Sequence, residues 1–320
     1  MSLPKTCTFH LGWMIAGIGV LLLGALGWWV TAQYRPQEAY FEQRRGSSHT
    51  ATAGIWQTEA GGFISQTVTV RADTGLEVNF RVLRPGEIDE LLPLVIILGG
   101  HRTGRDAVDL IGAPGPMIVA ALDYPYDGPE RPRGLRQSLA TIPAARRGLC
   151  DTPPAVQLAL DWLVAQPGTD PARIELMGVS LGVPIATTVA ATDVRITRLW
   201  LVHGSGDNRR WIAHNIGSRV RPAPLRELGA WLLHLVARGP AFDAAVQVGR
   251  VAPRPVVIIG ARDDARLPEM MVKALHAAAG EPKELLWTEG GHVDRRPENV
   301  RQVLDLARHR ILGPDWRGND

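Results

Sequence analysis

Residues 173–191 read RIELMGVSLGVPIATTVAA, and this stretch decides the architecture. Its first seven residues, mostly apolar and too few for a helix, read as a buried strand of a parallel sheet. Its last eleven, from Leu181, are rich in small residues and read as a helix. Between them stands Gly178-Val179-Ser180-Leu181-Gly182, a G-x-S-x-G sequence in a strand–turn–helix setting. A serine on so sharp a turn needs neighbours without bulk two residues to either side, which Gly178 and Gly182 supply. The turn lifts the hydroxyl out of the sheet edge. It also aims the Leu181 N–H and the helix N-terminus at the same point, where a developing oxyanion would be stabilised.

Working outward, residues 64–70 (ISQTVTV) and 76–83 (LEVNFRVL) alternate with period two around Asp73-Thr74-Gly75, which predicts an antiparallel hairpin. Residues 94–100 (LVIILGG), 117–122 (MIVAAL), 198–202 (RLWLV), 256–259 (VVII) and 284–287 (ELLW) read as further strands, most of them continuous apolar runs. Helical spacing is expected over 154–165, with Thr152 as a candidate N-cap, and over 268–279 and 297–312. Strand–helix alternation after a hairpin predicts an α/β fold, a mostly parallel sheet with helices on both faces.

A nucleophilic serine needs a base, and the base needs an orienting acid. The last two strands end in GARDDARLP and TEGGHVD. They offer Asp263 or Asp264 as the acid and His292 as the base, in the chain order serine, acid, histidine. His203 is the nearest rival base and lies after a different strand.

With GVSLG, the acid loop and the GGH loop in place, residues 64–312 resemble the α/β-hydrolase superfamily, nearest its serine esterase and peptidase-like branch. The resemblance implies a Ser180–His292–acid triad. Counting from Pro255 to Pro268 selects Asp264, with Ala261 where the pattern has glycine; counting from Gly260 selects Asp263 as the alternative. It also implies an oxyanion hole made by the backbone N–H groups of Leu181 and His101. The pattern's His-Gly loop is here Gly99-Gly100-His101. The implied activity is hydrolysis of an acyl bond, most simply a carboxylic ester of a small molecule, through an acyl-enzyme. Peptidase, thioesterase or acyltransferase chemistry uses the same fold, and a non-catalytic, membrane-tethered binding protein would retain it. No metal and no organic cofactor is implied, and neither nucleotide-binding glycine motif occurs.

The remaining composition narrows the field. The chain has 320 residues, 45% hydrophobic and 21% charged, as in folded proteins. Net charge is only +3, and no dense basic run suggests nucleic acid as a partner. Cys7 and Cys150 cannot build a disulfide framework. Residues 11–30 (LGWMIAGIGVLLLGALGWWV) form an uncharged apolar stretch of bilayer length ending at Trp28-Trp29. Residues 1–32 are therefore expected to be one transmembrane anchor bearing an exported domain, or else a signal segment cleaved near Ala32 to give a secreted protein. Residues 33–60 read as a linker and 61–320 as the hydrolase domain. Residues 205–252, with leucines on one helical stripe, read either as a small cap over the serine or as ordinary sheet-covering helix.

Overall fold

The computed structural model describes residues 5–100, 103–129, 131, 133–293 and 297–313, with backbone alone at 5–16, 135 and 297. Among the described residues, ten strands form one sheet: β1 (Ser48–Ala53), β2 (Gln57–Thr58), β3 (Phe63–Ala72), β4 (Glu77–Pro85), β5 (Leu92–Leu98), β6 (Ile118–Leu122), β7 (Thr169–Val179), β8 (Arg198–Val202), β9 (Val256–Ala261) and β10 (Lys283–Thr288). The helices are α1 (Lys5–Gln33), α2 (Glu38–Arg45), α3 (Gly134–Val164), α4 (Gly182–Thr192), α5 (Asn208–Ile216), α6 (Ala223–Val236), α7 (Ala244–Val248), α8 (Glu269–Ala278) and α9 (Pro297–Leu312).

The strand order is β1-β3-β4-β6-β5-β7-β8-β9-β10, with β2 also on β3. The expected hairpin is β3–β4, paired from Phe63–Pro85 to Arg71–Glu77. From β5 to β10 every neighbouring pair except β6 with β4 is parallel. Alternate residues of each central strand serve opposite cores. Leu94, Ile96, Leu98, Leu199, Leu201 and Ile258 pack under α3, α4, α7 and α8. Val95, Ile97, Trp200, Val202 and Ile259 pack under α9 and the 3-10 turn Gly104–Leu110. A strand buried on both faces has no polar side to show, hence the unbroken apolar runs. The chain leaves β5 toward β6 on one side and leaves β7 toward β8 on the other. The carboxyl ends of β5 and β7 therefore flank a topological switch point, where loops diverge and leave a crevice.

Three segments differ from the sequence expectation. Residues 33–60 are structured: α2 lies against α3, and β1 pairs antiparallel with β3. Phe41 is buried with Cys150, Ala241 and Phe242. Arg44 pairs with Asp151, and Arg45 with Asp161. Second, α3 begins at Gly134 and runs through Pro143, Pro153 and Pro154, so Thr152 is interior; its hydroxyl donates to the Gly148 carbonyl. Residues 151–160 are all buried, and that packing overrides the local cost of proline. Third, residues 205–252 divide. Ala244, Val248 and Val251 belong to the core, whereas α5 and α6 pack on each other, with Trp211 of α5 against that core. Among the described residues, no single helix is long and apolar enough to cross a membrane. Residues 17–33 reach that measure only together with α2, across a 68° bend.

Candidate active site

Ser180 follows the last residue of β7 at φ 53°, in the left-handed region. Its N–H donates to the Val202 carbonyl at 2.8 Å, and its own carbonyl accepts from Val183 N–H at 3.1 Å. The bend is tightly enclosed. A methyl on Gly178 would sit 2.6 Å from the Ala186 side chain and from the Gly182 carbonyl oxygen, and one on Gly182 would overlap the Leu98 carbonyl. These close approaches let β7 turn directly into α4.

At the ends of β9 and β10 the structure brings together two of the other expected residues. His292 Nε2 lies 2.9 Å from Ser180 Oγ, and His292 Nδ1 lies 2.6 Å from Asp264 Oδ2. An ionised carboxylate only accepts, so Nδ1 carries the proton and Nε2 offers its lone pair to the serine hydroxyl. The Asp264 side chain is fully buried and that of His292 nearly so. The other Asp264 oxygen accepts the N–H groups of Arg266 and Leu267 at 2.9 and 3.0 Å. Asp263 is exposed, and its N–H donates to the Gly290 carbonyl. The acid that reaches the imidazole is thus Asp264, and Asp263 is not in the array.

Leu181, the residue before α4, is helical at φ −58°, and its N–H meets no acceptor among the described residues. Gly100 lies beside the serine: a methyl there would be 3.7 Å from Ser180 Cβ. His101, the other expected donor, lies outside the described residues.

Several supporting roles are not assigned from the sequence, where His203 reads only as a rival base. Tyr124, two residues past β6, donates its hydroxyl to the Gly99 carbonyl at 2.6 Å; burial pushes its phenol upward. Its neighbour Asp123 accepts the Arg105 N–H at 2.8 Å, so the loop after β5 is held from both sides. His203, in the left-handed region at φ 51°, is buried, with its ring centroid 5.6 Å from that of His292. Its Nδ1 accepts the Val293 N–H at 2.7 Å, and its Nε2 meets Thr288 Oγ1 at 3.3 Å. This pattern requires a neutral ring. Burial first, and then the nearby His292, bring its pKa down to about 4. His203 therefore anchors the loop that carries the base. On α5, His214 and Asn215 hold the carbonyls of Ala265 and Arg266, steadying the acid loop. The signal common to these residues is position alone, since they follow strand ends or sit on the helix over one.

His203, Asp264 and His292 also place one ligand atom each within 4.8 Å of one another, a spacing that could hold a metal ion. Each of those groups is already committed to the hydrogen bonds above, so an ion would have to break the Ser180–His292–Asp264 array to bind.

Comparison with known proteins agrees with this architecture. No family model matches the chain. An uncharacterized protein of Mycobacterium tuberculosis is 28% identical over 228 residues, 68% of each chain. An acetyl xylan esterase from Paenibacillus sp. R4 superposes with TM-score 0.60 at 17% identity, covering 85% of this chain and 97% of that one. Acetyl xylan esterase 1 from Thermoanaerobacterium sp. JW/SL YS485 gives 0.62 at 13% identity, covering 87% and 93%. A cold-adapted esterase from an Arctic intertidal metagenomic library gives 0.55 at 18% identity, covering 82% and 100%. At such identities the likeness is one of fold.

Proposed function

From the α/β-hydrolase fold as premise, we propose that this chain is a serine hydrolase that cleaves a carboxylic ester through an acyl-enzyme. The observation that carries the reading is the unbroken hydrogen-bonded array from Ser180 Oγ through His292 to buried Asp264. Several structural neighbours are esterases, which supports the same substrate class.

In this reading Ser180 Oγ attacks the acyl carbon while its proton passes to His292 Nε2. Asp264 holds the tautomer and stabilises the imidazolium. The carbonyl oxygen becomes an oxyanion beside the free Leu181 N–H and the α4 N-terminus, with the His101 amide as the proposed second donor. Collapse expels the alcohol, which takes the proton from His292. Water, deprotonated by the same imidazole, then releases the carboxylic acid and regenerates the serine. The test is a fluorophosphonate probe together with a panel of p-nitrophenyl esters. The wild type should label and turn over, and Ser180→Ala should do neither. Equal labelling of both proteins would defeat the assignment. Hydrolysis of peptide amides with no ester hydrolysis would favour a peptidase.

The same proposal includes a single N-terminal anchor and an exported domain. Helix α1 spans 29 residues, about 43 Å at a rise of 1.5 Å per residue. Ile18, Val20, Leu21, Leu22, Leu23, Leu26 and Trp28 are exposed on it. Helix α2 is charged and ion-paired to the domain, so it marks where the polar side begins. Intact mass of the membrane-associated protein tests this: retention of residues 1–32 supports the anchor, and a start near Gln33 supports a secreted form.

A further inference from the structure

Helices α5 and α6 pack on each other beside the acid loop, whose Ala265 and Arg266 carbonyls are held by His214 and Asn215 of α5. Helix α6 buries only Ala230, His234 and Leu235. Leu225, Leu228 and Leu232 are 60%, 52% and 44% exposed. Their i, i+3, i+7 spacing puts them on one side of the helix, and Leu233 extends the patch at 48% exposure. An apolar side turned to water is costly unless something covers it.

Two observations name what covers it. Helix α1, exposed and apolar along residues 18–28, touches α6 and the turn Gly239–Phe242. The exposed leucines thus stand on a helix that α1 touches. Next, Arg219, Arg221 and Arg226 stand near the leucines in sequence, and none of them has a carboxylate partner among the described residues. Across residues 208–240 the acidic side chains reduce to Glu227. Arg45, Arg81, Arg195 and Arg310, by contrast, are each paired with a carboxylate. Exposed leucines on one side of a helix, with nearby arginines that lack carboxylate partners, are the make-up of a helix lying in the interface of an anionic bilayer. A second copy docking through the same face would meet the leucines with its own arginines and bring only Glu227 as counter-charge.

We propose that α6 is a second membrane contact, lying in the headgroup region of an anionic phospholipid bilayer beside α1. The inference rests on α1 as a membrane helix, and the experiment separates the two. Docking would have a consequence for the site. Helix α5 packs on α6 and holds the Ala265 and Arg266 carbonyls, so the bilayer contact stands one helix away from Asp264.

The full-length protein, with Cys7→Ser and Cys150→Ala, receives one cysteine at a time carrying an environment-sensitive fluorophore. The substitutions are Leu228→Cys and Leu232→Cys on α6, Leu22→Cys on α1, and Val194→Cys as control. Val194 is 83% exposed in the turn before β8, at the amino-terminal edge of the sheet. Each protein is reconstituted in phosphatidylcholine–phosphatidylglycerol vesicles with brominated acyl chains, and circular dichroism checks its fold. Labels at 228 and 232 should shift to the blue and be quenched by bromine, with Val194 unaffected. Quenching at 228 should be strongest for shallow bromines, as burial of ~5–10 Å requires. Arg219→Gln with Arg221→Gln and Arg226→Gln, or phosphatidylcholine alone, should weaken it. Quenching at 22 but not at 228 or 232 overturns the docking and leaves the anchor standing. Quenching at 228 but not at 22 does the reverse. A blue shift at 228 without bromine quenching means a protein covers the patch, and that also overturns the proposal.

Discussion

At φ 53° Ser180 occupies a backbone region that costs a non-glycine residue on the order of 1–3 kcal/mol. The strain is held by fixed neighbours, and it leaves the side chain half-buried with its oxygen at His292 Nε2. The two adjacent aspartates differ sharply in what they can do for that imidazole. Asp264 is 6% exposed and bonded to Nδ1, whereas Asp263 faces solvent. Asp264→Asn should therefore lower kcat for a p-nitrophenyl ester by roughly 10⁴-fold, because an amide can donate to Nδ1 and favour the wrong tautomer. Asp263→Asn should stay within a few-fold of wild type. A reversed ranking would remove Asp264 from the mechanism. Tyr124→Phe probes the other wall of the site. It deletes one hydrogen bond to the Gly99 carbonyl, worth about 1 kcal/mol. The expected outcome is a kcat loss of about 5-fold with KM little changed, if that loop serves the transition state more than the ground state.

Among the elements, the β7–α4 bend is tightly packed. Gly178→Ala would drive a methyl into Ala186 and the Gly182 backbone. Overpacking of this kind costs typically 1–3 kcal/mol, which a thermal melt should register as a lower Tm. The strands around this bend are legible in the sequence because burial on both faces writes itself as an apolar run. The order serine, acid, histidine is legible because each residue stands just past such a run. What stays illegible is whatever depends on distant partners. Nothing local marks Tyr40, Phe41, Arg44 and Arg45 as a docked helix, since Asp151 and Asp161 lie more than a hundred residues further along the chain. The prolines of α3 disguise a helix whose support is tertiary. The choice between Asp263 and Asp264 depends on a turn whose N–H groups point at only one of them. Phe41→Ala tests the docking of α2: losing a buried aromatic should cost about 3–5 kcal/mol and make the Arg45–Gly46 region a site of proteolysis.

For the whole molecule, two buried groups set opposing responses to pH. His203 titrates near 6.5 in the unfolded chain and at about 4 in the native protein, where its ring must accept the Val293 N–H. Between those values the unfolded state binds more protons. The stability that neutral His203 represents is therefore complete above pH 6.5 and is lost as pH falls toward 4, a swing of about 3 kcal/mol. Asp243 behaves in the opposite sense. Burial, and then the nearby Asp207, raise it from 3.8 to about 6, while the Ala245 N–H pulls it partly back. Between 3.8 and 6 the native state binds more protons, so stability is lost as pH rises through that window. The two slopes oppose each other from about pH 4 to 6, flattening the wild-type profile over a range where either alone would tilt it. Tm measured in detergent from pH 4 to 7, with each variant compared with wild type at the same pH, separates them. Asp243→Asn, which can still cap α7, should gain Tm over wild type near pH 7 and lose that gain toward pH 4. His203→Gln, which still offers an acceptor to Val293, should differ most from wild type above pH 6.5 and converge on it toward pH 4. If both differences are independent of pH, the two groups do not titrate on folding as their surroundings require.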